Sequence, residues 1–239
     1  MDHEVKLVSR EEIANGTMAF RFSKPVGFAC KAGQYCDFTL IDPPETDAEG
    51  DRRSFSIASA PHEPHLLIAT RMRDTAFKRV LKTMPIGSAL RMAGPMGSFT
   101  LHDDAARTAV FLAGGIGITP FTSIIRDAAE RKLPHKIVLF YSNRRPEDAA
   151  FLEELKTGTA RNPNYAFFGT MTDMKGSSMP WDGATGFLTK ESLLSRVPSL
   201  TGPIYYVAGP PGMVAAMRTM LEGAGVNGDD LRTEEFSGY

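Results

Sequence analysis

Two short stretches of this sequence carry residue types that can bind phosphate. Residues 110–120 read Val-Phe-Leu-Ala-Gly-Gly-Ile-Gly-Ile-Thr-Pro, an apolar run that breaks into glycines ahead of an amphipathic segment. The pattern predicts a buried strand, a tight turn and the start of a helix. Gly114, Gly115 and Gly117 would let a ligand approach the backbone, and the free amides of the helix start favour an anion. A nucleotide site is one interpretation, and a helix that merely packs tightly against its strand is the other.

The second stretch, Arg53-Ser54-Phe55-Ser56, follows an acidic loop at the start of a predicted strand. The guanidinium of Arg53 is a permanent, forked charge that suits a phosphate. Phe55 supplies a flat face for stacking, and the hydroxyl of Ser56 can bond the edge of a ring. These roles, with Ser54 beside them, predict a flavin site. The alternative is a surface arginine beside a core strand.

Thr75 begins a helix predicted over residues 75–82 and is a suitable N-cap. The amides of Thr75, Ala76 and Phe77 could therefore receive a pyrophosphate. The alternative is a capped helix without a ligand.

The segment Ser142-Asn143-Arg144-Arg145 follows a second buried strand. In dinucleotide sites an acid near this place accepts a ribose hydroxyl of NADH, whereas an arginine meets the extra phosphate of NADPH. Ser142, Arg144 and Arg145 therefore favour NADPH. The alternative is a solvated turn ahead of the next helix.

The composition is that of an ordinary globular protein with no overall charge bias. The chain has 239 residues, 42% hydrophobic and 23% charged, with a formal net charge of -1. This length allows one large domain or two of modest size. The near-neutral charge gives no basis for a nucleic-acid partner, so any binding of anions must be local.

Residues 1–103 are expected to form a small antiparallel β-barrel. Alternation is clear in Tyr35-Cys36-Asp37-Phe38-Thr39-Leu40, and turn signals such as Asn15-Gly16 separate the runs. The loop 42–51 contains two prolines, one glycine and five acids, which predicts a solvated insertion. The predicted strands are 3–8, 18–23, 34–40, 55–57, 66–71 and 89–93.

Residues 104–239 change to strands that alternate with helices, which predicts a parallel sheet covered on both faces. Ligands bind such sheets at the carboxyl ends of the strands. The expected fold is therefore an antiparallel β-barrel followed by an α/β nucleotide-binding domain. The predicted strands are 109–113, 137–141, 165–170, 204–207 and 231–236, and the predicted helices are 121–131, 148–156, 191–195 and 213–224.

No membrane span is expected. The uncharged run 108–125 is long enough to suggest one, but it contains four Gly or Pro residues and a predicted turn. The first residues lack a basic start followed by an apolar core, so a cytoplasmic location is expected.

No metal site is expected either. Cys30 and Cys36 lack the repeated spacing of a metal centre and are expected to be free thiols. In His62-Glu63-Pro64-His65 the proline prevents the two histidines from sharing a helical face. The remaining histidines, at segment ends, are expected to face solvent: His3, His102 and His135.

Four motifs occur in the order found in the ferredoxin-NADP reductase superfamily, which this chain resembles over nearly its whole length. They are Arg-x-aromatic-Ser at 53–56, Gly-Pro-Met-Gly-Ser-Phe at 94–99, the glycine turn at 114–120, and Gly-Pro-Pro-Gly-Met at 209–213. The resemblance implies an FAD-binding barrel, an NAD(P)-binding domain, and hydride transfer from nicotinamide to flavin where the two meet.

The resemblance also implies roles for single residues. Arg53 would hold the FAD diphosphate, Phe55 would stack on the isoalloxazine, and Ser56 would face its hydride-accepting nitrogen. Residues 75–77, at the start of the predicted helix, would bind phosphate. The nicotinamide would lie beside Thr119, with its path lined by Gly209 and Pro210.

This sequence departs from the family pattern at two informative positions. Where the family usually has a tyrosine, this chain has Phe55. The hydroxyl that often contacts the ribityl side of the flavin is therefore missing. Many members carry a cysteine where this chain has Ala208, so no thiol can assist at that point. Two cysteines also cannot supply a plant-type iron-sulfur module, so the electron acceptor is expected to be a separate molecule.

The segment 233–239 is expected to close over the flavin. It ends with two aromatics among four residues, and in plant-type members an aromatic C-terminal residue stacks on the flavin. Either Phe236 or Tyr239 could take this role, and Glu235 could relay a proton. The alternative is a frayed end.

The resulting functional prediction is a reductase that passes a hydride from NADPH or NADH to bound FAD. Ser56, Thr119 and Glu235 are the predicted catalytic residues. Electrons would go on to a ferredoxin, a flavodoxin, an oxygenase component or a haem protein. The alternatives are a free-flavin reductase and a non-catalytic electron-transfer or regulatory subunit.

Overall fold

The computed structural model describes residues 2–237, and the first half of the chain forms a six-stranded antiparallel sheet. Its order is β4-β3-β6-β1-β2-β5, so β4 and β5 are the edges. Beyond β4, the amide of Ala58 donates to the carbonyl of Leu67 at 2.7 Å and draws the two edges together. The strands are β1 (Asp2–Ala14), β2 (Thr17–Ser23), β3 (Tyr35–Leu40), β4 (Arg52–Ser56), β5 (His65–Arg71) and β6 (Ala89–Met96).

One helix, α1 (Ala76–Thr83), packs into this sheet. Thr75 is its N-cap, with the hydroxyl accepting from the amide of Lys78 at 3.4 Å, as the sequence predicts. Phe77 and Leu81 lie on the buried face of the helix. The Phe77 ring lies 5.9 Å from that of Phe55, so α1 and β4 share one aromatic core.

The second half forms a six-stranded sheet in which every neighbouring pair is parallel. Its order is β10-β9-β8-β7-β11-β12, and the direction of winding reverses between β7 and β11. In open parallel sheets the ligand crevice lies at such a reversal, outside the carboxyl ends of the strands. The strands are β7 (Ala109–Gly114), β8 (Ile137–Asn143), β9 (Tyr165–Met171), β10 (Ala184–Thr185), β11 (Ile204–Gly209) and β12 (Leu231–Glu235).

Alternate residues of β7 pack in opposite directions, which explains why the whole strand is apolar. Phe111 faces α2 and α3, whereas Val110 and Leu112 face α4 and α5. Every residue of β7 is buried. The helices are α2 (Thr119–Glu130), α3 (Leu152–Thr157), α4 (Lys190–Leu194) and α5 (Pro211–Gly223).

The two halves share a continuous core. Leu67 and Phe99 from the first half pack with Phe111 and Phe121 of the second. Two hydrogen bonds also join α2 to the segment after β4: Ser123 Oγ donates to Ser59 O at 2.7 Å, and Arg126 Nη1 donates to Ala58 O at 3.2 Å. The two-domain fold predicted from the sequence is confirmed, while the boundary between residues 103 and 104 stays a prediction.

Two histidines differ from the sequence prediction. His102 and His135 are buried rather than facing solvent. His102 Nδ1 lies 3.0 Å from Tyr206 Oη, and His135 Nε2 lies 2.8 Å from His102 O, so both rings are polar bridges between the segment before β7 and its neighbours. Burial lowers the pKa of His102. Within residues 2–237, no helix has the length and apolarity needed to cross a membrane.

Candidate functional site

A pocket of about 380 Å³ lies where β4, the turn after β7 and the end of β12 meet. We call it the interdomain pocket. Its walls come from both halves of the chain, so a ligand in it would touch both domains. The predicted site residues that line it are Arg53, Ser54, Phe55, Ser56, Thr75, Thr119 and Phe236.

Arg53 is held rigidly at one end of the interdomain pocket. Its Nη1 donates to the carbonyls of Glu49 and Arg52, both at 2.7 Å, and its Nη2 lies 2.9 Å from Glu49 Oε2. The guanidinium also lies 5.4 Å above the Phe77 ring. The guanidinium of Arg53 is therefore fixed in position, and its Nη2 points at the carboxylate of Glu49.

The first turn of α1 meets a carboxylate as well. The amide of Ala76 donates to Asp47 Oδ2 at 2.6 Å, which lowers the pKa of Asp47. Asp47 Oδ1 lies 3.9 Å from Arg53 Nη2. The loop 42–51 is exposed, as predicted, but two of its five carboxylates, those of Asp47 and Glu49, contact the predicted phosphate-binding groups.

Three cations that sequence reasoning missed also line the pocket: Arg71, Arg73 and Lys78. Lys78 is buried, its Nζ donates to Arg71 O at 2.7 Å, and burial together with the charges of Arg73 and Arg53 lowers its pKa to about 8. A signal was present, because Arg71 ends β5 and Arg73 follows it shortly before α1. The pocket is thus strongly cationic beyond Arg53 alone.

Ser56 and Phe55 take different positions at the end of β4. Ser56 is buried and lines the pocket. Phe55 also borders the pocket, but its ring packs between Phe38 and Phe77, each with ring centroids 5.9 Å away. Most of the ring therefore belongs to the core, and its stacking on a flavin stays a prediction.

The glycine turn after β7 is shaped largely by packing against the end of β11 and the first turn of α5. A Cβ on Gly117 would lie 2.4 Å from Ala208 O, and one on Gly114 would lie 2.3 Å from Met213 Sδ. Gly115 adopts a φ of 53°, which favours glycine. The helix begins at Thr119, whose hydroxyl donates to Ile116 O at 3.1 Å. Thr119 lies in the pocket wall, while Gly114, Gly115, Gly117, Gly209 and Pro210 do not.

The predicted coenzyme arginines lie at the carboxyl end of β8, outside the interdomain pocket. Arg144 Nη2 lies 3.1 Å from Asp173 Oδ2, and Arg145 Nη2 lies 3.9 Å from the same oxygen. Sequence reasoning missed Asp173, since only the parallel pairing of β8 with β9 brings it there. The site therefore contains an acid beside its two bases. Ser142 pairs in the sheet with Gly114, the first residue of the glycine turn.

Phe236 and Ser237, which follow β12, lie against the pocket. The amide of Phe236 donates to Gly209 O at 2.9 Å, and Phe236 lines the pocket. Tyr239, the other predicted aromatic, lies outside the described residues. The contact made by Phe236 ties this segment to the end of β11.

The carboxylate predicted to relay a proton, Glu235, is exposed at the last position of β12. Side chains alternate along a strand, so Glu234 and Glu235 lie on opposite faces of β12. Burial raises the pKa of Glu234 to about 7. A proton relay by Glu235 stays a prediction, and Glu234 is the more buried of the two carboxyls.

Comparison with known proteins agrees with this architecture. Residues 111–219 match the oxidoreductase NAD-binding domain family. The glycine betaine monooxygenase reductase subunit of Chromohalobacter salexigens is 29% identical over 223 residues, which cover 92% of this chain and 60% of that protein. This chain therefore spans less than two thirds of that relative's length.

Two solved structures share the whole fold. The cytochrome P450 reductase from Amycolatopsis superposes with a TM-score of 0.81 at 23% identity, covering 98% of this chain and 70% of that one. A ferredoxin NADP+ reductase from Neisseria gonorrhoeae, solved with bound FAD and NADP, has a TM-score of 0.79 at 20% identity and covers 98% of both chains. Residues 111–219 therefore match an oxidoreductase NAD-binding domain, and the whole chain has the two-domain fold of these two reductases.

Proposed function

We propose that this chain is a flavoprotein reductase that binds FAD in the interdomain pocket and NAD(P)H at the carboxyl ends of β7, β8 and β11. The observation that carries the proposal is the composition of that pocket, which joins a cationic end on the barrel to Thr119 on the nucleotide domain. A flat ligand with a phosphate tail would contact both domains there.

The residues present fit the phosphates of such a ligand. The carboxylates of Asp47 and Glu49 stand in for an anion, at bonding distance from the Ala76 amide and from Arg53 Nη2. Arg71, Arg73 and Lys78 supply further positive charge along the same wall. A diphosphate suits this set of donors because charged donors and a helix start both favour anions.

FAD, when bound, accepts a hydride from a nicotinamide and releases electrons to an acceptor. The chain's part in this reaction is to bind and orient. Arg53 and α1 would hold the diphosphate, Ser56 and Thr119 would border the ring, and Phe236 would cover it. Glu235, or the more buried Glu234 next to it, would hold a proton at the end of β12.

The coenzyme and the acceptor belong to the proposal as well. Arg144 and Arg145 favour NADPH, although Asp173 offsets part of their charge. The relative named as a monooxygenase reductase subunit suggests an oxygenase component as acceptor, alongside the ferredoxin, flavodoxin and haem-protein classes. We place the reductase in the cytoplasm.

Dialysis of the purified protein followed by turnover tests this function. We expect retained yellow colour, and oxidation of NADPH or NADH with an artificial acceptor. A colourless protein that is active only with added flavin would indicate a free-flavin reductase. Oxidation of neither coenzyme would indicate a non-catalytic subunit.

The substitution Arg53→Ala tests the phosphate end separately. Loss of a charge-assisted contact of about 1.5 to 3 kcal/mol should weaken FAD binding by roughly one to two decades. Arg52→Ala is the matched control, because Arg52 is more exposed and pairs with Asp37. Equal flavin content in the two variants after gel filtration would remove Arg53 from the site.

A further inference from the structure

One loop occupies both groups that the proposed function assigns to the flavin diphosphate. Asp47 accepts from the Ala76 amide at 2.6 Å, and Glu49 accepts from Arg53 Nη2 at 2.9 Å. These groups come from α1 and β4, which are separate elements. The loop 42–51 therefore contacts both groups at once, through two of its carboxylates.

A carboxylate and a phosphate compete for the same donors. Both are anionic acceptors that suit a guanidinium and the free amides at a helix start. A diphosphate and the carboxylates of Asp47 and Glu49 cannot occupy these donors together, since like charges at such distances repel. Flavin can reach Arg53 and Ala76 only after the carboxylates leave.

We propose that the acidic loop 42–51 is a latch: Asp47 and Glu49 close the diphosphate site in the flavin-free protein, and an incoming flavin displaces them. The proposal rests on the proposed function, because it takes the diphosphate site to be the one described above. It assigns to this loop the control of flavin entry and exchange.

The attachments of the loop allow the carboxylates to leave without unfolding it. Arg79 contacts Glu45 at 2.6 Å on the surface and anchors the start of the loop to α1. At its other end, Arg53 Nη1 is held by backbone carbonyls, including that of Gly50 at 3.2 Å, and these bonds do not involve the Glu49 carboxylate. The side chains of Asp47 and Glu49 are 31% and 61% exposed, so both can turn into solvent.

The double substitution Asp47→Asn/Glu49→Gln removes both charges and keeps both shapes. The side-chain carbonyl that it places at position 47 can still accept from the Ala76 amide, so the loop should fold as before. We expect FAD to associate with this variant about tenfold faster, and to bind correspondingly tighter, than with the wild type. Quenching of flavin fluorescence on mixing measures both quantities.

The matched control is Asp42→Asn/Asp51→Asn, which changes net charge equally in the same loop. Within residues 2–237, neither of these carboxylates contacts Arg53 or the Ala76 amide. The control should bind FAD at the wild-type rate. An equal gain in both double variants would overturn the latch in favour of a general charge effect.

A second readout uses the flavin-free wild type and inorganic pyrophosphate. The amide of Glu49 donates to Asp47 Oδ1 at 2.9 Å, so release of Asp47 should expose it. We expect hydrogen exchange at Glu49 to accelerate when pyrophosphate is added. Unchanged or slower exchange with pyrophosphate bound would overturn the latch.

The outcomes separate the latch from the function it rests on. If the wild type binds FAD and Asp47→Asn/Glu49→Gln binds it no faster, the latch is wrong and the proposed function stands. If the wild type and both variants all fail to bind FAD, the proposed function is wrong and the latch is wrong with it.

Discussion

Lys78 shows how the fold alters a single residue. It lies in the pocket wall beside Arg53, Arg71 and Arg73, and burial with the neighbouring positive charges lowers its pKa to about 8. Near that pH a large share of Lys78 is uncharged when the site holds no phosphate. An anion beside it would favour the ammonium form and raise the pKa.

FAD binding at pH 8 should therefore take up a proton, at about half an equivalent. Titration calorimetry in two buffers of different ionisation enthalpy measures this uptake. In Lys78→Met the uptake should disappear and FAD should bind more weakly. Proton release by the wild type, or equal uptake by the variant, would contradict this role for Lys78.

Glu234 predicts a pH dependence of stability. Burial raises its pKa to about 7, so the folded state binds a proton that the unfolded state has already lost near pH 5. The free energy of unfolding should therefore fall as the pH rises from 5 through 7. Glu234→Gln should remove this fall, on the order of 2 kcal/mol. Denaturation of both proteins at pH 5 and pH 8 tests the point, with the exposed Glu235→Gln expected to behave as wild type.

At the scale of elements, α2 sets the distance between the two halves of the site. Thr119 begins this helix and lines the pocket, while Ser123 and Arg126 further along bond to the segment that follows Ser56. Arg126 is also held by Glu154 through two bonds of 2.7 Å. Hydride transfer requires the reacting atoms to be held close together. The contacts of α2 with the segment after β4 should therefore affect the rate of flavin reduction more than the affinity for flavin.

Arg126→Met should slow reduction of the flavin by NAD(P)H about tenfold and leave FAD affinity within a factor of about two. Arg161→Met is a matched control, because Arg161 and Arg126 line the same cleft between α2 and α3. Stopped-flow reduction and flavin titration separate the two effects. Weakened FAD binding with an unchanged reduction rate would show that Arg126 stabilises the barrel rather than the position of the coenzyme.

The end of β12 allows a second test at this scale. Phe236 lines the pocket and is tied to Gly209, so Phe236→Ala should expose the ring face it covers. We expect a shift of the flavin absorption band and a change in its reduction rate. Ser237→Ala, at the neighbouring pocket position, should have a much smaller effect. A wild-type spectrum and wild-type kinetics in Phe236→Ala would favour a frayed end.

For the whole molecule, the elements and the principal motif could be predicted from the sequence because their signals are local. The apolar run before Gly114 and the alternation of apolar and polar residues in β3 are both visible in neighbouring residues. Strands β7 and β3 form where these patterns predict them. Arg53 could be found because a cation two positions before an aromatic is visible in the sequence.

The remaining features depend on contacts between distant residues. Asp173 meets Arg144 only through the pairing of β8 with β9, and Asp47 meets Ala76 across 29 positions of sequence. Composition could not distinguish Glu234 from Glu235, because it does not fix the phase of a strand and a slip of one position reverses the face. The burial of His102 likewise follows from Tyr206, 104 positions away.

The most direct test of the proposed reductase is anaerobic mixing of the FAD-loaded protein with NADPH and, separately, with NADH. We predict that at least one coenzyme bleaches the visible absorption band of the flavin, and that an artificial acceptor then restores it. An unchanged flavin spectrum with both coenzymes would contradict the account.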